Sequence, residues 1–195
     1  MTKHELTAED LMPIDRYGSE RRDHGRRMAA LKKNRRMEVG PDATFYFENY
    51  DTMWFQVHEM LYIEKGGADQ IPDELGAYNP LIPKGRELVA TMMIEIADAD
   101  RRAKVLAGLG GIEETVTMTV GGETVQGVPE ADTDRTNAAG KASSVQFIHF
   151  PFTDAQVAAF RQPGAEVALS IGHPRYRHMA GMQEEIRVAL SQDFD

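Results

Sequence analysis

The chain contains no cysteine. That single absence removes disulfides, thiolate zinc sites, cysteine-ligated iron–sulfur clusters and cysteine nucleophiles, so any bound metal would need histidine, carboxylate or other oxygen ligands. Long apolar runs are lacking too. No segment approaches the eighteen or so apolar residues of a membrane span, and the opening MTKHELTAED carries charges where a signal peptide needs a hydrophobic stretch. A cytoplasmic protein is therefore expected. The familiar catalytic strings are missing as well: there is no GxSxG, no HExxH and no GxxxxGK followed by Ser or Thr. Gly108, Gly110 and Gly111 follow a predicted helix instead of a strand, so they read as a turn and not as a dinucleotide loop.

Aromatic residues are sparse at 8% of the chain, yet seven of the fifteen fall between Thr44 and Glu64, the only tryptophan, Trp54, among them. Glu48, Asn49, Gln56, His58, Glu59 and Glu64 are threaded through the same stretch. Polar groups in so apolar a run must be hydrogen-bonded or ligated, because leaving them unpaired in a core is costly.

Charge is unevenly spread. The net value is −9, but residues 1–40 hold ten Lys and Arg against seven acids, and 41–195 hold twelve against twenty-four. Eight of the basic residues lie between Arg21 and Arg36 on a predicted helix with Met28 and Leu31 on its inner side. Such a stripe can neutralise phosphates. The preferred reading is a solvated helix docked on its own acidic body, since nucleic-acid binders usually carry a net positive domain.

The expected organisation is one domain, 1–195, made of an N-terminal helical and strand–helix unit, 1–86, and a repeat unit, 87–195. A short capped helix near Thr7 precedes the basic helix, which runs to about Met37 and stops at Gly40-Pro41. Thr44–Phe47 reads as a strand and Thr52–Lys65 as a buried helix ended by Gly66-Gly67. Residues 68–86, with three prolines, read as a loop. Residues 93–122 and 147–173 align as two copies of strand, helix, strand, with Ile94 matching Ile148, Glu95 matching His149, Val116 matching Val167 and Val120 matching Ile171. Tandem βαβ units predict an α+β, ferredoxin-like βαββαβ sheet with an inserted hairpin and loop at 121–141, a last helix over about 178–192, and the aromatic unit packed on the other face.

In a ferredoxin-like order of 4-1-3-2, Glu87 falls between His149 and His173. Two histidines and a carboxylate so placed are the ligand set of non-haem iron and catalytic zinc sites, with Glu59 or Gln56 from the covering helix in support. The competing reading makes His149 a structural strand-end residue, His173-Pro174 a strand breaker, and Gln56 with Glu59 a buried hydrogen-bond network.

The runs Arg35-Arg36 to Val39-Gly40-Pro41, Thr44 to Asn49, Gln56 to Leu61, Tyr78-Asn79, Glu87 to Ile96 and His173-Pro174 with Tyr176 resemble an uncharacterised bacterial family, the domain of unknown function 3501. Glu48, Asn49, Gln56, Tyr78, Asn79 and Tyr176 are the candidate ligand contacts. The resemblance implies a component of an iron- or peroxide-linked redox system, beside a rubrerythrin-like or iron–sulfur oxidoreductase partner. Two functions are thus expected to compete: a non-catalytic, homo-oligomeric accessory protein, and a small iron or zinc metalloprotein using His149, His173, Glu87 and Glu59.

Overall fold

The computed structural model describes residues 3–130 and 141–195. The part of the expected inserted loop at 131–140 lies outside the described residues. The described residues form six α-helices and two antiparallel sheets. In chain order these are α1 (Ile14–Lys32), β1 (Arg36–Val39), β2 (Ala43–Glu48), α2 (Tyr50–Glu64), α3 (Ile71–Tyr78), β3 (Glu87–Ile94), α4 (Ala99–Leu106), β4 (Val116–Val120), β5 (Glu123–Gln126), β6 (Val128–Pro129), β7 (Val145–Pro151), α5 (Asp154–Arg161), β8 (Val167–His173), β9 (Tyr176–Gly181) and α6 (Glu184–Leu190).

The first sheet has the order β1-β2-β3-β7-β6 and the second β5-β4-β8-β9. This corrects the expected single sheet of order 4-1-3-2. The repeat is present, but each copy sends its first strand to one sheet and its second strand to the other. Equivalent strands then pair antiparallel about a local dyad, with Met92 opposite Gln146 and Met118 opposite Leu169. The physical reason lies in the connecting helices. In a ferredoxin-like fold they must cover a whole sheet face, whereas α4 buries only Leu106 and α5 only Val157 and Phe160. The strands, by contrast, alternate cleanly. Leu88, Ala90, Met92 and Ile94 of β3 face one way, as do Val116, Met118 and Val120 of β4 and Val167, Leu169 and Ile171 of β8. Stacking the sheets buries all of these in one shared core with Phe45, Phe47, Ile148 and Phe150. Each such side chain contributes about 1.5–3 kcal/mol when fully buried.

The outer face of the first sheet is covered by the N-terminal unit, as expected. Val89 and Phe147 pack with Met53, Val57 and Leu61 of α2 and with Leu6, Leu81 and Ile82. Helix α2 starts where Asn49 accepts from the Thr52 N–H and Thr52 returns a bond to the Asn49 N–H, a reciprocal cap. A reciprocal cap of the same kind, between Thr153 and Gln156, opens α5.

Four boundaries differ from expectation. The basic helix ends at Lys32 and Arg36–Val39 forms β1, because a strand pairing with β2 outweighs continuation of the helix. The expected 68–86 loop contains α3. Residues 178–181 of the expected last helix belong to β9, which pairs with β8 and leaves only Glu184–Leu190 helical. Finally, α2 ends at Glu64 and is capped by Lys65, in the left-handed region at φ 57°, one residue before the glycines assigned that role.

Candidate functional site

Helices α1 and α2 lie side by side, and their junction explains the polar residues of the aromatic run. Gly18 allows the approach: a Cβ there would meet Tyr62 Cε2 at 2.8 Å. Tyr17 is fully buried and donates to Glu59 at 2.5 Å, and Arg21 holds the same carboxylate with both Nε (2.9 Å) and Nη2 (2.7 Å). The Arg21 guanidinium holds Glu59 below the usual carboxylate range, while burial and the Glu59 hydrogen bond push the Tyr17 hydroxyl up. His58, also fully buried, donates from Nδ1 to the Trp54 carbonyl at 2.7 Å and accepts the Met12 N–H at Nε2, 3.1 Å away. Only a neutral imidazole can do both, and burial lowers the His58 pKa accordingly. Its ring packs 3.9 Å from Trp54 and 4.9 Å from Tyr17, between centroids. Trp54 Nε1 donates to the Asp10 carbonyl at 2.9 Å. The network therefore straps residues 10–12 to α2.

With its inner side fixed in this way, α1 turns the opposite side outward. Arg22, Arg26, Ala29, Ala30 and Lys33 recur at helical spacing and are all exposed, with Arg27 beside them. Arg26 pairs with Asp23 of its own helix, whereas Arg22, Arg27 and Lys33 form no ion pair among the described residues. The helix thus docks on α2 of the acidic body as expected, with Arg21 as the cation that reaches across, while the remaining cations of the stripe stay solvated. Arg35, beyond the helix, is buried. It donates to the carbonyls of Phe47 (3.0 Å) and Glu48 (3.1 Å) and pairs with buried Asp193, whose carboxyl burial pushes up against the pull of the guanidinium.

The residues expected to form a metal centre are only partly brought together. Glu87 and His149 do meet, with His149 Nδ1 3.0 Å from the Glu87 carboxylate. Glu130, which had no local signal because it arrives through the β6–β7 pairing, lies 3.7 Å from His149 Nε2. Glu87 holds the imidazole pKa above its ordinary value against the opposing effect of burial. His173 belongs to the other sheet: β3 is flanked by β2 and β7, not by β8. There its Nδ1 accepts the Arg175 N–H at 3.2 Å. Glu59 is turned toward α1. Among the described residues, no group of three or more His, Asp or Glu side chains is arranged to hold an ion.

The candidate ligand contacts divide in the same manner. Asn49 caps α2, and Asn79 bonds both the N–H (2.7 Å) and the carbonyl (2.9 Å) of Leu6. Tyr176 accepts the N–H groups of Asp42 and Ala43 and donates to Val39, clamping β9 to the β1–β2 turn. Gln56 donates to the Tyr78 hydroxyl at 3.4 Å. Glu48 takes the Thr91 hydroxyl on one oxygen, and its other oxygen is buried with no hydrogen-bond partner among the described residues.

Comparison with known proteins agrees with this picture in fold and leaves the chemistry open. The profile of a family described as "Protein of unknown function (DUF3501)" matches residues 5–194. A crystal structure of a novel protein of unknown function from Burkholderia pseudomallei is 36% identical, with a TM-score of 0.91 and 100% of each chain covered. No curated protein matches the chain. No helix among the described residues is long and apolar enough to cross a membrane.

Proposed function

From the premise that the chain belongs to the family of unknown function DUF3501, we propose that it is a non-catalytic accessory protein that docks an acidic protein partner on the outward face of α1. One observation carries this reading: a body of strong negative charge presents a helix whose Arg22, Arg27 and Lys33 have no anionic partner among the described residues. A protein of that net charge repels nucleic acid in general, so a local acidic protein surface is the better complement. Ala29 and Ala30, exposed between the cations, leave room for close approach. A rubrerythrin-like protein or an iron–sulfur oxidoreductase, the partner class the family resemblance implies, is tested by the same experiment. A photocrosslinking amino acid at Ala30, introduced in the native host, captures a specific acidic protein that the same group at exposed Glu123 does not. Identical adducts at both positions, or RNA adducts at Ala30, would overturn the assignment.

A second reading, a His/Glu-ligated iron or zinc centre, is favoured by the Glu87–His149 contact. It requires the imidazole to exchange that hydrogen bond for an ion. Near-stoichiometric metal in tag-free protein purified anaerobically from its native host, lost in His149→Ala, supports it. Equal metal in both rejects it.

A further inference from the structure

The straps that hold residues 10–12 on α2 also build one wall of a groove. It lies between the start of α1, the end of α2 and the turn at 67–70, and has a volume of about 810 Å³. Its walls are apolar, formed by Leu11, Met12, Ile14, Leu61, Tyr62 and Ile71. Size and lining fall within the range of small-molecule sites, in which a few polar groups orient an otherwise apolar ligand. Two charged residues reach this groove, Asp15 and Lys65.

Lys65 is the informative one. It is the only non-glycine residue with positive φ among the described residues. Glycine takes that conformation without strain, and two glycines follow at once, yet the chain sets a lysine there. Lys65 lines the groove, is exposed and forms no ion pair among the described residues. Asp15 lies in the first turn of α1, where the helix N-terminus favours a negative charge, and no side chain caps that end of the helix. Lys65 is therefore the one cation that lines the groove.

We infer that the groove binds an amphipathic monoanion, an aliphatic chain lying along the apolar wall with its carboxylate at Lys65. Calorimetric titration of the full chain with decanoate, below its micelle concentration, tests this against decanol and decylammonium. Saturable decanoate binding is expected, with decylammonium weaker by about tenfold, the difference a charged hydrogen bond makes. Lys65→Gly separates binding from folding, because it removes the charge while suiting the left-handed backbone. The variant keeps or raises Tm, loses decanoate affinity by about tenfold and leaves decanol unchanged. Ala68→Trp, which fills the groove, removes binding of both. Absence of saturable decanoate binding, equal binding of decylammonium, or a Lys65→Gly variant with unaltered decanoate affinity would each refute the assignment.

Discussion

The two-sheet body and the helical unit that covers it are held together in different ways. The body buries a continuous apolar core in which Phe45, Phe47, Met92, Phe150 and Leu169 meet across the sheets. The α1–α2 junction is built instead from Tyr17, His58 and Trp54, whose polar atoms are each satisfied, with Glu59 and Arg21 closing the network. Apolar packing is non-directional and tolerates changes that conserve volume, whereas a hydrogen-bonded network fixes geometry and fails when one member is lost. The body thus serves as the scaffold. The helical unit fixes the orientation of α1, so that its cations face outward and the straps at residues 10–12 shape a groove beside it.

The largest effect is expected where the two regions join. Arg35→Ala strips buried Asp193 of its counter-charge and two carbonyls of their donor. A loss of about 3–5 kcal/mol in urea unfolding is predicted. The double change Arg35→Ala with Asp193→Ala should lose less than the sum of the two single changes. If Arg35→Ala alone is mild, the join is not an ion pair in solution.

Within the regions, Phe150→Ala should lose about 3–5 kcal/mol through the cavity it opens in the body. His58→Leu keeps an apolar side chain of similar bulk but orphans the Met12 N–H, for about 1–3 kcal/mol. Equal tolerance of His58→Leu and of a volume-conserving body change such as Met92→Leu would break the contrast.

A subtler difference lies in pH. His58 has a lowered pKa in the folded state, so its contribution is present above the unfolded value of about 6.5 and is lost as pH falls through the folded value. His149 has a raised pKa, so its contribution is present below about 6.5 and is lost as pH rises through the folded value. Unfolding of wild type, His58→Gln and His149→Gln at acidic and mildly alkaline pH should show opposite trends for the two variants. Parallel pH profiles would contradict the assigned environments.

How much of this was legible in the sequence follows from how local each cause is. The alternation Leu88, Ala90, Met92, Ile94 is a property of one strand, and it located the core face and its opposite, covered by α2. The repeat gave the β3–β7 neighbourhood, and with it the contact of Glu87 with His149. It could not say that α5 delivers β8 to a second sheet, which is why His173 was misplaced. That decision depends on how little surface α4 and α5 can cover, a global quantity. Arg35 looked like one more cation of the basic helix, since nothing local separates it from Lys33. Its burial follows from the helix ending early at Lys32 and from the distant arrival of Asp193. The strained backbone of Lys65 was hidden by the glycines after it, which carry the usual signal for ending a helix.

The smallest expected change in stability accompanies the most direct test of the account. Replacing Arg22, Arg26, Arg27 and Lys33 together with glutamine, matched in helix propensity, should alter stability by no more than about 1 kcal/mol, because these side chains are exposed. The chain is isolated from its native host with and without these changes, and the co-purifying proteins are quantified by mass spectrometry at low and high salt. The account predicts an acidic protein that accompanies the wild type at low salt, is released by salt and is missing from the variant. The same protein retained by the variant, or released by salt equally from both, would contradict a docking face on α1.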